Sequence, residues 1–177
     1  MKKAKIHFIT GGQRSGKSIY AEELTLKASK HPTYLATSKI WDEELRKRID
    51  IHKGRRDSNW TTWEEEIEIS KISSKSGVVL LDCITLWLTN VFDQEEYDKV
   101  KTIAFAKKEW EKLCEQDIQL FVVSNEIGMG LVPMEKSTRS FIDVQGLMNQ
   151  FIAQMADEVT FIVSGLPIEV KRLKGDA

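Results

Sequence analysis

Little in this sequence suits a specialised environment. Cysteine occurs only at Cys83 and Cys114, and two thiols so far apart form neither a disulfide framework nor a C-x-x-C metal or redox site. No stretch approaches the ~18 consecutive apolar residues that a membrane span needs. The basic start, MKKAKIHFITGG, has an apolar run of about five residues before glycines end it, too short for a secretory h-region. Neither sign of charge dominates: 26 Lys+Arg face 27 Asp+Glu, which argues against a general nucleic-acid coat protein. Internal repeats, low-complexity tracts and linkers are lacking as well. These absences predict a reducing, cytoplasmic compartment, with no nucleic-acid partner and no membrane span.

What is present is an ordinary globular composition, 41% apolar and 30% charged over 177 residues, and it predicts a single domain over residues 1–177. Short β-branched or aromatic runs at Ile6–Thr10, Thr33–Ala36, Val78–Leu81, Leu120–Ser124 and Val159–Val163 are mostly too apolar to keep a solvent face, as expected of buried parallel strands. Helical spacing links Ala21, Leu24 and Ala28 in Ser18–Ser29. It also links Ile103, Ala106, Trp110 and Leu113 in Lys99–Glu115, and Phe141, Leu147, Phe151 and Met155 in Thr138–Ala156. Strands alternating with helices predict an α/β, doubly wound, mostly parallel sheet in three layers. Ligands of such sheets bind at the carboxyl ends of strands. That directs attention to Gly11–Ser18, Thr37–Ser38, Asp82–Thr85, Asn125–Pro133 and Ser164–Pro167.

Gly11-Gly12-Gln13-Arg14-Ser15-Gly16-Lys17-Ser18 fits G-x-x-x-x-G-K-[ST], the P-loop. Glycines let successive backbone N–H groups turn inward on phosphate oxygens. Lys17 then reaches the outer phosphates, Ser18 offers its hydroxyl to Mg²⁺, and the following helix directs its positive end at the anion. At ordinary residue frequencies the pattern arises at roughly one start position in 30,000, before a strand ahead and a helix behind are required. The apolar strand ending in Asp82 supplies the partner carboxylate for Mg²⁺; strand ends of this form are also common helix N-caps. Thr85 either caps the following helix or lies near the nucleotide.

Ile40–Arg56 has the pattern of a basic helix, with six cations between Arg46 and Arg56. Arg48, His52 and Arg56 fall at i, i+4 and i+8. Two readings stand: a cluster that holds triphosphate, or a solvated face balanced by Glu43 and Glu44. Of three histidines, His7 alternates within a strand and His31 precedes a proline in a surface loop. His52 sits among cations that depress its pKa and keep the imidazole neutral and nucleophilic.

At this point the sequence resembles the bifunctional adenosylcobinamide kinase/adenosylcobinamide-phosphate guanylyltransferases of cobalamin biosynthesis. The resemblance covers nearly the whole chain: GGQRSGKS at 11–18, Ala36-Thr37-Ser38, and RIDIHKGRRDSNWTTWE at 48–64. It continues through LLDCITLWLTN at 80–90, SNEIGMGLVP at 124–133 and DVQGLMNQFIAQMADEVTFIVSGLP at 143–167. The segment at 48–64 matches R-I-x-x-H-x-x-x-R-x-x-x-W-x-T-x-E, which is specific to this family among P-loop proteins.

The resemblance implies a RecA-like P-loop NTPase fold and two reactions. ATP or GTP phosphorylates the aminopropanol hydroxyl of adenosylcobinamide; GTP then gives GMP to that phosphate through a phosphoramidate on the histidine corresponding to His52. It implies catalytic roles for His52 and Lys17. Nucleotide contacts are implied at Gly11, Gly12, Gln13, Arg14, Ser15, Gly16, Lys17, Ser18, Ala36, Thr37, Ser38, Lys53, Gly54, Arg55, Arg56, Glu64 and Asp82, and Mg²⁺ ligands at Ser18 and Asp82. It also implies a homotrimer. The competing readings are a monofunctional P-loop kinase, in which His52 is incidental, and a P-loop module that only senses nucleotide.

Overall fold

The structure, a computed structural model, describes residues 2–39, 43, 54, 56 and 58–172. The basic helix expected over Ile40–Arg56 therefore lies outside the described residues, save for three single positions.

Strand β1 (Lys5–Gly11) shows why these strands are so apolar. Ile6 and Phe8 enter one core cluster while Ile9 enters the other, so both faces of the strand are covered. In β4 (Val78–Asp82), Val79 and Leu81 point to the first cluster, Val78 and Leu80 to the second. With β2 (Thr33–Ala36), β3 (Thr61–Glu64), β5 (Gln119–Asn125), β6 (Glu158–Val163) and β7 (Leu166–Lys171) they form one sheet of order β3-β2-β4-β5-β1-β6-β7. Every pair is parallel except β6–β7.

Helix α1 (Lys17–Ala28) packs on one face. Helices α2 (Ile84–Gln94), α3 (Lys99–Cys114) and α4 (Lys136–Met155) gather on the other, around the buried Trp87, Trp110 and Met148. This is the expected three-layer, doubly wound architecture. Asp98 starts α3 by accepting the Val100 and Lys101 N–H groups at 2.9 and 3.0 Å, satisfying two of the donors that every helix start leaves open.

Of the expected elements with stated bounds, the eight that fall on described residues are present to within two residues at each end. β3, β7 and the 3-10 turn at Ile69–Lys71 were not anticipated, and α2 was expected only as a helix following Asp82, without bounds. β7 is an edge strand exposed along its whole length, so it lacks the apolar density that marks the others. Two helix stripes are also corrected. On α1 the buried line is Lys17, Ala21 and Thr25, and Ala28 is exposed. On α4 it is Val144, Gln145, Met148, Asn149 and Ile152, while Leu147 is 44% exposed. Two buried amides displaced the line from the purely apolar pattern.

Candidate active site

Parallel pairing brings the carboxyl ends of the strands to one edge of the sheet. Glu64 is the register partner of Ala36, Ala36 of Asp82, and Gly11 of both Asn125 and Ile162. Residues far apart in the chain are thereby aligned: the glycine loop, the end of β2, the β4 carboxylate and the β3 glutamate.

The loop itself is shaped by backbone that only glycine tolerates well. Gly11 has φ +154, and a Cβ there would lie 2.4 Å from the Ile162 carbonyl oxygen; Gly16, which precedes α1, has φ +101. Behind the loop stands the β6–β7 turn. Ser164 and Gly165 both have positive φ, as a two-residue hairpin turn demands, and Gly165 N–H donates to the Ser15 carbonyl at 2.8 Å. The segment Ser164–Pro167 thus braces the loop and opens β7.

Lys17 is buried and donates from Nζ to the Gly12 carbonyl at 2.6 Å. Burial holds its ammonium below the usual lysine range, opposed by Cys83 and Asp82, which places the cation within electrostatic reach of the β4 carboxylate. The Ser15 hydroxyl is buried with no hydrogen-bond partner among the described residues, an uncommon state for a polar group and one suited to an anionic oxygen. Ser18 is half-buried on the first turn of α1, where helix N–H groups face an anion.

At the other side of the site, Tyr34 donates its phenolic hydrogen to Asp82 Oδ2 at 3.1 Å. The guanidinium carbon of Arg56 lies 3.5 Å from the centre of the Tyr34 ring, and Trp60 meets the same ring edge-on at 6.1 Å. Cation–π contact holds Arg56 at this end of the sheet, and one of its nitrogens, Nη1, is buried without a hydrogen-bond partner among the described residues. Burial and then Asp82 push the Tyr34 phenol well above its ordinary range, so it remains a donor.

Other candidates occupy less open places. Thr37 is fully buried; its hydroxyl donates to the Cys83 carbonyl at 2.9 Å and accepts from Cys83 N–H at 3.1 Å. Its own carbonyl accepts from Asn90. Ala36 and Ser38 are half-buried on either side. Thr85 accepts the Asn125 N–H at 3.1 Å rather than capping α2, whose cap residue is Cys83. Gln13, Arg14, Gly54 and Glu64 are exposed. His52, Lys53 and Arg55 lie outside the described residues. Burial pushes the Cys83 and Cys114 thiols up to about 12, leaving neither a ready nucleophile.

A separate cavity of about 600 Å³ opens at the opposite ends of β1 and β5, lined by His7, Glu158, Thr160, Glu169 and Arg172. Its polar groups already engage one another: His7 with Thr160 and Glu158, Arg172 with Glu169. The glycine loop and the Asp82 carboxylate stand at the other edge.

Sequence reasoning missed Tyr34 and the buried network of Ser124, Gln145 and Asn149. The alternation of β2 places Tyr34 and Ala36 on one face, but only the pairing of β2 with β4 shows that this face is shared with Asp82.

The family model described as cobinamide kinase / cobinamide phosphate guanyltransferase matches residues 7–170. The bifunctional adenosylcobalamin biosynthesis protein CobP of Pseudomonas aeruginosa is 36% identical over 170 residues, covering 92% of this chain and 95% of the relative. The bifunctional adenosylcobalamin biosynthesis protein CobU of Escherichia coli is 35% identical over 178 residues, covering 92% and 98%. Among solved structures, the flagellar accessory protein FlaH of Methanocaldococcus jannaschii superposes with a TM-score of 0.50 at 14% identity, covering 98% of this chain and 80% of that one. That likeness speaks to fold alone.

Proposed function

The chain belongs to the cobinamide kinase / cobinamide phosphate guanyltransferase family, and from that premise we propose that one nucleotide cradle serves two transfers. In the first, the aminopropanol hydroxyl of adenosylcobinamide attacks the γ-phosphorus of ATP or GTP. An O–P bond forms, the bond to the nucleoside diphosphate breaks, and the hydroxyl proton is lost. In the second, an imidazole nitrogen of His52 attacks the α-phosphorus of GTP and pyrophosphate leaves. An oxygen of adenosylcobinamide phosphate then attacks that phosphorus, the P–N bond breaks, and adenosyl-GDP-cobinamide is released. Splitting the exchange in two gives each displacement a good leaving group.

The observation that supports this reading is the chain of contacts from Arg56 through Tyr34 to Asp82. Arg56 lies four residues past His52 in the sequence, and its own side chain stands on the carboxylate side of the cradle. Lys53, Arg55 and Arg56 would offset charge on the α-phosphate and pyrophosphate. Lys17 and the loop amides would do the same at the outer phosphates. Glu64, at the edge of the sheet, suits the guanine N1–H and amino group or the ribose hydroxyls.

A hydroxyl and a carboxylate are hard oxygen donors of the kind Mg²⁺ prefers, and the hydroxyl of Tyr34 orients one oxygen of Asp82. Ser18 and Asp82 would hold the ion, which neutralises phosphate charge when bound. The same reading places the protein in the cytoplasm as a homotrimer, with a corrinoid as its small-molecule partner and no nucleic acid.

Incubation with GTP labelled at the α-phosphate tests the central step. Label that is stable to base and labile to acid is expected on His52. A wild-type chain that phosphorylates adenosylcobinamide yet never takes up label is instead a monofunctional kinase.

A further inference from the structure

Four large apolar side chains stand in solvent just after β5: Met129 is 77% exposed, Leu131 97%, Val132 81% and Met134 98%. Large apolar groups clustered in water mark binding surfaces. The segment is fixed at both ends. At its root, Glu126 N–H donates to the Gly11 carbonyl at 2.9 Å. The Asn125 carbonyl there is held by Asn149 at 3.1 Å, itself locked to Ser124 and Gln145 in the protein interior. At the far end the Arg139 guanidinium donates to the carbonyls of Pro133 and Met134.

From this placement we propose that the segment Met129–Met134 is the surface on which the corrin macrocycle of the acceptor rests while its hydroxyl faces the cradle. The proposal rests on the kinase and guanylyltransferase reading above. A corrinoid is a broad, flat ring with a methyl-rich rim and amide arms, far larger than the phosphoryl group it receives. Most of it must therefore lie on protein surface adjoining the cradle.

Among the described strand ends the one after β5 offers such a surface, whereas after β3 the chain runs through the acidic Glu64, Glu65, Glu66 and Glu68, ill suited to a methyl-rich ring. After β2 the chain is buried at Thr37, and after β4 it enters α2 through the buried Cys83. After β6 the turn at Ser164–Gly165 is short and polar and leads directly into β7. The segment after β5 leaves the sheet beside the glycine loop, with Asn125 in register with Gly11, and it is apolar. Its methionines, unbranched and polarizable, mould to an irregular ring better than branched side chains do.

The test is equilibrium dialysis of the full chain with adenosylcobinamide, followed by the absorbance of the corrinoid. The double variant Leu131→Glu/Met134→Glu is expected to bind the corrinoid at least tenfold more weakly than the wild type. GTP binding should stay within twofold, with an unchanged sedimentation coefficient. Leu131→Gln/Met134→Gln, which adds no charge, should show the same order of loss. Undiminished corrinoid affinity in both variants overturns the proposal and leaves the two-reaction reading standing. A changed sedimentation coefficient assigns the segment to contact between copies of this chain and overturns it as well. A wild type that neither binds nor phosphorylates adenosylcobinamide removes the functional reading, and the proposal with it.

Discussion

The hydroxyl of Tyr34 sits 3.1 Å from Oδ2 of Asp82 while the ring beneath it carries the guanidinium of Arg56. One side chain thus touches both the carboxylate expected to hold magnesium and the cation that follows His52. Tyr34→Phe keeps the ring and the Arg56 stack but releases Asp82. Groups that orient a metal ligand typically contribute about 10- to 100-fold in metal affinity or activity. Titration of GTP binding against Mg²⁺ should show the requirement raised about tenfold, while GTP binding measured in EDTA is unchanged. Equal weakening with and without the metal would make Tyr34 a packing residue only.

Lys17 is buried with its ammonium across the glycine loop. Its removal deletes a preorganised cationic donor, a loss of about 100-fold or more in turnover. Lys17→Ala should lose both transfers together, because both use the outer phosphates of a triphosphate. Its melting temperature should not fall, since burying that charge carries a desolvation cost. Steady-state rates and a thermal melt decide the point.

Gly11 and Gly12 are neighbours with opposite tolerance. A Cβ at Gly11 would meet the Ile162 carbonyl oxygen at 2.4 Å, whereas at Gly12 nothing among the described residues lies within 4 Å. Gly11→Ala should destabilise by about 1–3 kcal/mol, the usual range for forced overpacking, and Gly12→Ala by much less. Paired denaturant titrations compare them.

His52 enters only the second reaction in the proposed scheme. His52→Ala should abolish formation of adenosyl-GDP-cobinamide while adenosylcobinamide kinase activity stays within about tenfold, because phosphorylation needs no covalent intermediate. Parallel loss of both activities in a variant that still binds GTP would contradict that separation.

Asp157 ties the start of β1 to the start of β6, accepting from Lys2 Nζ at 2.7 Å and Ile6 N–H at 2.8 Å. Partial burial works against its charge, yet the Lys2 and Ile6 hydrogen bonds prevail and hold its pKa below the ordinary 3.8. A carboxylate depressed in the folded state stabilises fully above its unfolded pKa and loses that contribution as pH falls through the folded value. The melting temperature of the wild type should therefore exceed that of Asp157→Asn most near neutral pH. The gap should close below about pH 4.

The glycine loop, five of the seven strands and three of the helices were legible because local pattern and final environment agree there. β3 is only four residues long with Trp63 its one apolar residue, and β7 is exposed throughout, so neither carries the apolar signature of a covered strand. The stripe of α4 was misplaced for the opposite reason. Gln145 and Asn149 are buried although polar: the Gln145 amide nitrogen donates to Asn149 Oδ1 and Ser124 Oγ, and the Asn149 nitrogen donates to the Asn125 carbonyl. A rule that sends polar residues outward cannot find them.

The sequence by itself determined the phosphate-binding loop, the class of fold and the family, because each depends on residue types at fixed short spacings whose backbone and charge requirements are local. Only the tertiary structure decided that Glu64, Ala36 and Asp82 stand in line, that Tyr34 bridges Asp82 and Arg56, and that the turn at Gly165 braces the loop from behind. Those relations follow from strand order, which is set when both faces of the sheet are buried together. No span of sequence contains that global packing energy.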